Sequence, residues 1–276
     1  MKSRSQWTFF VAATIALSGL FAVSSAQAVA QTAQPRTVVS SATASSASRG
    51  MTAIDEAAKD GKYLFVFFWK QNDTQSQTMY KVLKTATAKW ADSADLVSIP
   101  IIDRKEKAII DKFDVSRAPM PLVLALAPNG AITKACPIKF DEKQLQEGFV
   151  SPCTAKCLKC LQDQKIVLLC VQNQKTQFSQ AAWKGAQDFK ADARFAKATE
   201  VVSLDPSDQA EATFLGDLEV DPKTPQAVTV LLAPPGQPIA KFAGVVTKDQ
   251  IVAKVSAAQS GPCAGGQCGP GGCCPK

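Results

Sequence analysis

Residues 63–69 read YLFVFFW and residues 166–171 read IVLLCV, and these two runs decide the fold. Each is short, apolar throughout, rich in β-branched or aromatic residues and followed by a polar turn, which describes a strand covered on both faces. A helical stretch precedes each run. Residues 51–62, MTAIDEAAKDGK, carry an apolar face at Ile54, Ala57 and Ala58 and stop near Gly61, while residues 153–165, CTAKCLKCLQDQK, hold the same place before the second run. Each run then enters a similar turn, Gln71-Asn72 followed by TQSQ and Gln172-Asn173 followed by TQFSQ, and a further helical stretch at 79–89 or 179–193.

The correspondence continues outward. LVSI at 96–99 matches VVSL at 201–204, Asp114-Val115 matches Glu219-Val220, and Ala127-Pro128-Asn129-Gly130 matches Ala233-Pro234-Pro235-Gly236, with an offset drifting only from 101 to 106 residues. The chain therefore reads as one unit of about 100 residues used twice. Each unit runs helix, strand, helix, strand, helix, Pro-containing loop, strand, hairpin, strand, helix. Strand and crossover-helix pairs imply parallel pairing, and the tight Pro/Gly turns imply an antiparallel hairpin at one side of the sheet. The expected class is α/β, with a mixed central sheet flanked by helices in each unit.

The units sit between two segments of different composition. Lys2 and Arg4 precede an almost continuously apolar or small stretch at 8–23, and Ala26-Gln27-Ala28 or Ala28-Val29-Ala30 has the small-x-small pattern of a signal peptidase site. The expected organisation is a signal peptide at 1–28, a flexible linker at 29–50, units at 51–150 and 151–258, and a Gly/Pro/Cys-rich tail at 259–276 that is too poor in apolar residues to order itself. The expected location is periplasmic or extracellular, with no membrane span after cleavage. The formal charge of +7 falls to +5 without Lys2 and Arg4, and the remaining lysines alternate with acids, so no basic stripe points to nucleic acid.

The stretches FVFFWKQNDTQSQTM at 65–79 and VSRAPMPLVLALAPNG at 115–130 resemble the thioredoxin-like superfamily, where a strand leads into the redox turn and a cis-proline loop leads into a hairpin. LLCVQNQKTQFSQ at 168–180 and VDPKTPQAVTVLLAPPG at 220–236 are weaker counterparts. The resemblance covers residues 51–258 and implies two tandem thioredoxin-like domains. It also implies a cis-proline at Pro119 or Pro121, and at Pro225 in the second unit. That loop presents backbone to an extended substrate in active relatives, so a protein or peptide partner is an expected ligand.

The family's Cys-x-x-Cys is missing. Its place holds Asp73-Thr74-Gln75-Ser76 in the first unit and Gln174-Lys175-Thr176-Gln177 in the second. Dithiol exchange needs a thiolate at the helix start and a second thiol to resolve the mixed disulfide, and neither turn supplies one. Ser76 is left as a polar helix cap. Nine cysteines lie elsewhere, and no histidine occurs, which removes Ser-His-Asp and Cys-His catalysis and every imidazole metal site. An odd count in an oxidising compartment leaves at least one thiol free, intermolecular, metal-bound or capped.

Cys153, Cys157 and Cys160 fall on one helical face, and Cys157-Leu158-Lys159-Cys160 spells a redox motif, although it precedes its strand where the family's pair follows one. Burial of these thiols, bridging to one another or to Cys136 or Cys170, and a thiolate metal or redox cluster are the readings open to them. Cys136 is expected on the last strand of the first unit, where it could staple the two units together. The tail carries Cys263, Cys268, Cys273 and Cys274, a set able to wrap Zn(II) or Cu(I), to form structural or tethering disulfides, or to act as an exchanging dithiol arm. The vicinal pair resembles the soft-metal-capturing tail of mercuric reductases. The functional expectation is a redox-inactive binding or scaffold protein whose tail carries the sulfur chemistry. A noncanonical thiol-disulfide oxidoreductase and a disulfide-linked envelope component are the alternatives.

Overall fold

The computed structural model describes residues 48–259. Its first half runs α1 (Arg49–Asp60), β1 (Tyr63–Trp69), α2 (Thr74–Ala88), β2 (Ala94–Pro100), α3 (Lys107–Lys112), β3 (Leu122–Leu126), β4 (Ile132–Pro137) and α4 (Glu142–Gln146). The second half runs α5 (Pro152–Gln162), β5 (Ile166–Val171), α6 (Ser179–Ala191), β6 (Thr199–Leu204), α7 (Ala212–Asp217), β7 (Val228–Ala233), β8 (Gln237–Ala243) and α8 (Lys248–Gln259). Two four-stranded sheets result, ordered β2-β1-β3-β4 and β6-β5-β7-β8. In each, the first two strands are parallel and the third and fourth antiparallel, so this is the α/β class with mixed sheets flanked by helices.

Alternation along the strands explains their unbroken hydrophobicity. Leu64, Val66 and Phe68 of β1 face a core shared with α1 and α3, while Phe65 and Phe67 face one that takes in Leu83 of α2 and Leu145 of α4. In β5, Val167, Leu169 and Val171 pack with Cys157 and Leu161 of α5, and Leu168 and Cys170 pack with Ala182, Ala186 and Phe189 of α6. Both faces of each central strand are thus removed from water.

The helix preceding each central strand is anchored in a way that composition hides. Glu106 is 3% exposed and accepts from Ser48 Oγ at 2.6 Å and from the N–H groups of Arg49 and Gly50 at 3.1 and 3.0 Å. Glu211 is 4% exposed and accepts from Ser151 Oγ at 2.5 Å and from the Cys153 N–H at 3.3 Å. A buried carboxylate therefore satisfies the orphan donors at the start of α1 and of α5. Ser48 caps α1, and Arg49 and Gly50 form its first turn, so the linker expected at 29–50 ends before residue 48. The methyl-free Gly50 lets α1 approach α3, since a Cβ there would lie 2.6 Å from Ile109 Cδ1.

The two sheets belong to one compact body. Ala127 and Ala131 pack on Ala155 and Leu158 of α5. Asn129 Nδ2 donates to Ala155 O at 2.9 Å, and the Gln162 amide donates to Ile132 O at 2.7 Å and accepts from the Ile132 N–H at 2.9 Å. Among the described residues no helix is long and apolar enough to cross a membrane.

Candidate functional site

The strand registers place Trp69, Pro100, Leu122 and Pro137 at one end of the first sheet. The turn into α2 and the loop before β3 both lie at this end. Asp73 caps α2 by accepting from the Ser76 N–H at 2.8 Å, and donors from Ser76 hold its carboxyl below the usual carboxylate range. Ser76, expected as a cap, is instead a buried residue of the first turn that donates to that cap. Gln75 Nε2 reaches across the end of the sheet to donate to Ile138 O at 3.2 Å. A carboxylate, Asp73, and three neutral side chains, Thr74, Gln75 and Ser76, thus occupy the start of α2, and none of them can attack a disulfide.

The loop before β3 carries a cis Met120–Pro121 bond, with Pro119 exposed before it. Pro121 O accepts from the Ile138 N–H at 2.7 Å. The Met120 N–H and C=O, one residue earlier, have no partner among the described residues. One residue thus offers a donor and an acceptor together, the pattern by which an antiparallel strand pairs.

The second half builds the same corner and closes it. Gln226, which stands where Met120 does, makes an isolated parallel bridge with Gln177. The Gln177 N–H donates to Pro225 O and the Ala227 N–H to Gln177 O, both at 2.9 Å. Pro225 therefore receives a segment of its own chain. The bond before it is not cis; the cis bond of this half is Pro234–Pro235, in the β7–β8 turn. Gln174 and Lys175 are exposed and Thr176 is buried, its hydroxyl held between Asn173 and Ser179. A groove of about 790 Å³ lies alongside, lined by Gln172, Phe178 and Ser203 among others.

Five cysteines fall in the described residues, all of them free thiols. Cys136 lies on β4 in the core facing α2 and α4, and Cys170 lies on β5 in the core facing α6 and α8. Burial pushes each up to about 11. Cys136 therefore packs within its own half and does not staple the halves together. Cys157 is buried in α5, and its thiol is pushed up by the neighbouring Cys153 thiol and then by burial. Cys160 is half-buried and raised by burial and by Glu200. No group of three cysteine or acidic side chains among the described residues is arranged to hold a metal. Cys263, Cys268, Cys273 and Cys274, with the signal and most of the linker, lie outside the described residues.

Three features of this corner escaped the sequence reading. Ile138 adopts a positive φ without glycine or asparagine to announce it, Gln75 bonds to it across the sheet end, and Gln177 fills the second corner. The buried Glu106 and Glu211 escaped as well, but a Ser-led helix start in each half was a usable signal.

No family model and no curated protein matches the chain. Solved structures do. A thioredoxin from Nicotiana alata is 19% identical, with 36% of this chain and 80% of that one covered and a TM-score of 0.30. The zinc-bound form of human ERp44 is 10% identical, with 76% and 59% covered and a TM-score of 0.32. The NTD_N/C domain of the alkylhydroperoxide reductase AhpF from Enterococcus faecalis is 14% identical, with 74% and 97% covered and a TM-score of 0.28.

Proposed function

We propose that this chain is an exported, redox-inactive binding protein, built from two thioredoxin-like units, that holds an extended peptide at the Met120–Pro121 corner. One observation carries the reading. The first half leaves the Met120 N–H and C=O unpaired beside a helix start that has an Asp73 cap and no thiol. The second half supports it by example, because its equivalent corner is paired by main-chain hydrogen bonds to one residue of the chain itself, Gln177. Main-chain pairing supplies affinity without demanding a sequence, and flanking side chains supply choice. Pro121 has no N–H, so the parallel bridge of the second half is not repeated; the ligand pairs antiparallel with Met120.

The sulfur chemistry of the protein then belongs to the tail. Cys263, Cys268, Cys273 and Cys274 take a soft ion, Zn(II) or Cu(I), with no competing thiolate among the buried thiols of the body. The test uses the mature chain. Fluorescein-labelled, S-carboxymethylated insulin B chain, which has no reactive sulfur, should bind saturably by anisotropy, while the same protein fails to accelerate insulin reduction by dithiothreitol. Absence of binding, or turnover that survives serine at the four tail positions, would overturn the reading. Native mass spectrometry should show the metal on the wild type and none on the four-serine variant.

A further inference from the structure

The residue that follows the last strand of each sheet, β4 or β8, occupies the same backbone position in the two halves. Gly244 follows β8 with φ 76° and donates to Ala227 O at 2.8 Å; Ile138 follows β4 with φ 65° and donates to Pro121 O at 2.7 Å. The left-handed region suits glycine, and a β-branched residue there is an outlier. The second half shows that the fold needs the backbone conformation and not the side chain. Core packing does not explain the isoleucine either, since Ile138 is 44% exposed. Yet the position is held from both sides, by Pro121 O on its N–H and by Gln75 Nε2 on its carbonyl.

Such strain persists where surrounding structure fixes it, and it collects at binding sites. Ile138 is hydrogen-bonded to the residue next to the unpaired Met120 edge. Ile102, 68% exposed, follows β2 at the same end of the sheet. Ile102 stands at the far edge of the sheet from β4, so Ile138 is the exposed aliphatic side chain beside the free main-chain edge.

We propose that Ile138 is a specificity-determining residue of the peptide site. It presents an aliphatic surface that selects apolar side chains in an extended ligand paired with Met120. The assignment rests on the peptide-holding reading above.

The test compares wild type with Ile138→Gly and Ile138→Asn, both of which tolerate a positive φ. Labelled S-carboxymethylated insulin B chain is titrated by anisotropy, and the melting temperature of each variant is recorded. We expect affinity to fall about fivefold or more, as loss of a half-buried aliphatic contact implies, with melting temperature unchanged or raised by relief of strain. Wild-type affinity in both variants would overturn the assignment, as would a fall in melting temperature alongside the loss of binding, which marks a structural residue. Failure of the wild type to bind would instead overturn the peptide-holding reading itself.

Discussion

At the scale of single residues, the described thiols are packing groups. Cys136 and Cys170 are each raised from 9.0 to about 11 by burial, so neither forms a thiolate at neutral pH. Both should resist Ellman's reagent at pH 8 in the folded protein and react in urea. The same shift sets a pH dependence. Above pH 9 the unfolded chain releases these protons while the folded one retains them until about 11, so the stability they confer is present below 9 and lost as pH rises through 11. The loss approaches about 1.4 kcal/mol per pH unit for each thiol. Urea midpoints at pH 8 and pH 10.5 should converge in the double variant Cys136→Ala, Cys170→Ala relative to wild type. An equal pH dependence in both proteins would contradict the burial argument.

At the scale of elements, the strands were the most legible part of the sequence. The apolar runs at 63–69 and 166–171 became β1 and β5 with those bounds, and the Pro128-Asn129-Gly130 and Pro234-Pro235-Gly236 turns became the two hairpins. Apolar runs and turn residues act locally, so they can be read one segment at a time. The site was less legible because its features are long-range. Gln75 meets Ile138 across 63 positions, Ser48 meets Glu106 across 58, and the pairing of Gln177 with Gln226 depends on how two loops fall together. Charged residues such as Glu106 and Glu211 read as solvated in a sequence, and only the helix starts packed over them reveal their burial. Pro225 looked like the cis-proline because of its place before β7, yet the chain turns it toward Gln177 with a trans bond.

Element packing also yields a test of α6. A Cβ at Gly185 would lie 1.9 Å from Val246 O, a backbone atom that cannot rotate away, whereas one at Gly216 in α7 would meet nothing within 4 Å. Gly185→Ala should cost about 3 kcal/mol or more by urea unfolding. Gly216→Ala should be stabilising by about 0.5–1 kcal/mol, through the helix preference for alanine. Equal effects at the two positions would mean that α6 does not press on the segment after β8 as described.

At the scale of the whole molecule, the same order of elements is built twice and put to different ends. The second corner is closed by its own chain, while the first has an open main-chain edge, a capped helix start and a strained isoleucine. The halves are joined through α5, where Asn129, Ile132 and Gln162 exchange hydrogen bonds over a small-residue contact. In the functional account, binding resides in the first half and sulfur chemistry in the tail. The most direct test is short-time hydrogen exchange of the mature protein with and without saturating S-carboxymethylated insulin B chain. We expect new protection confined to residues 118–122 and around Ile138, with the Gln177–Gln226 corner unchanged. Protection confined to the second half, or none at the Met120 amide, would contradict the assignment of the site.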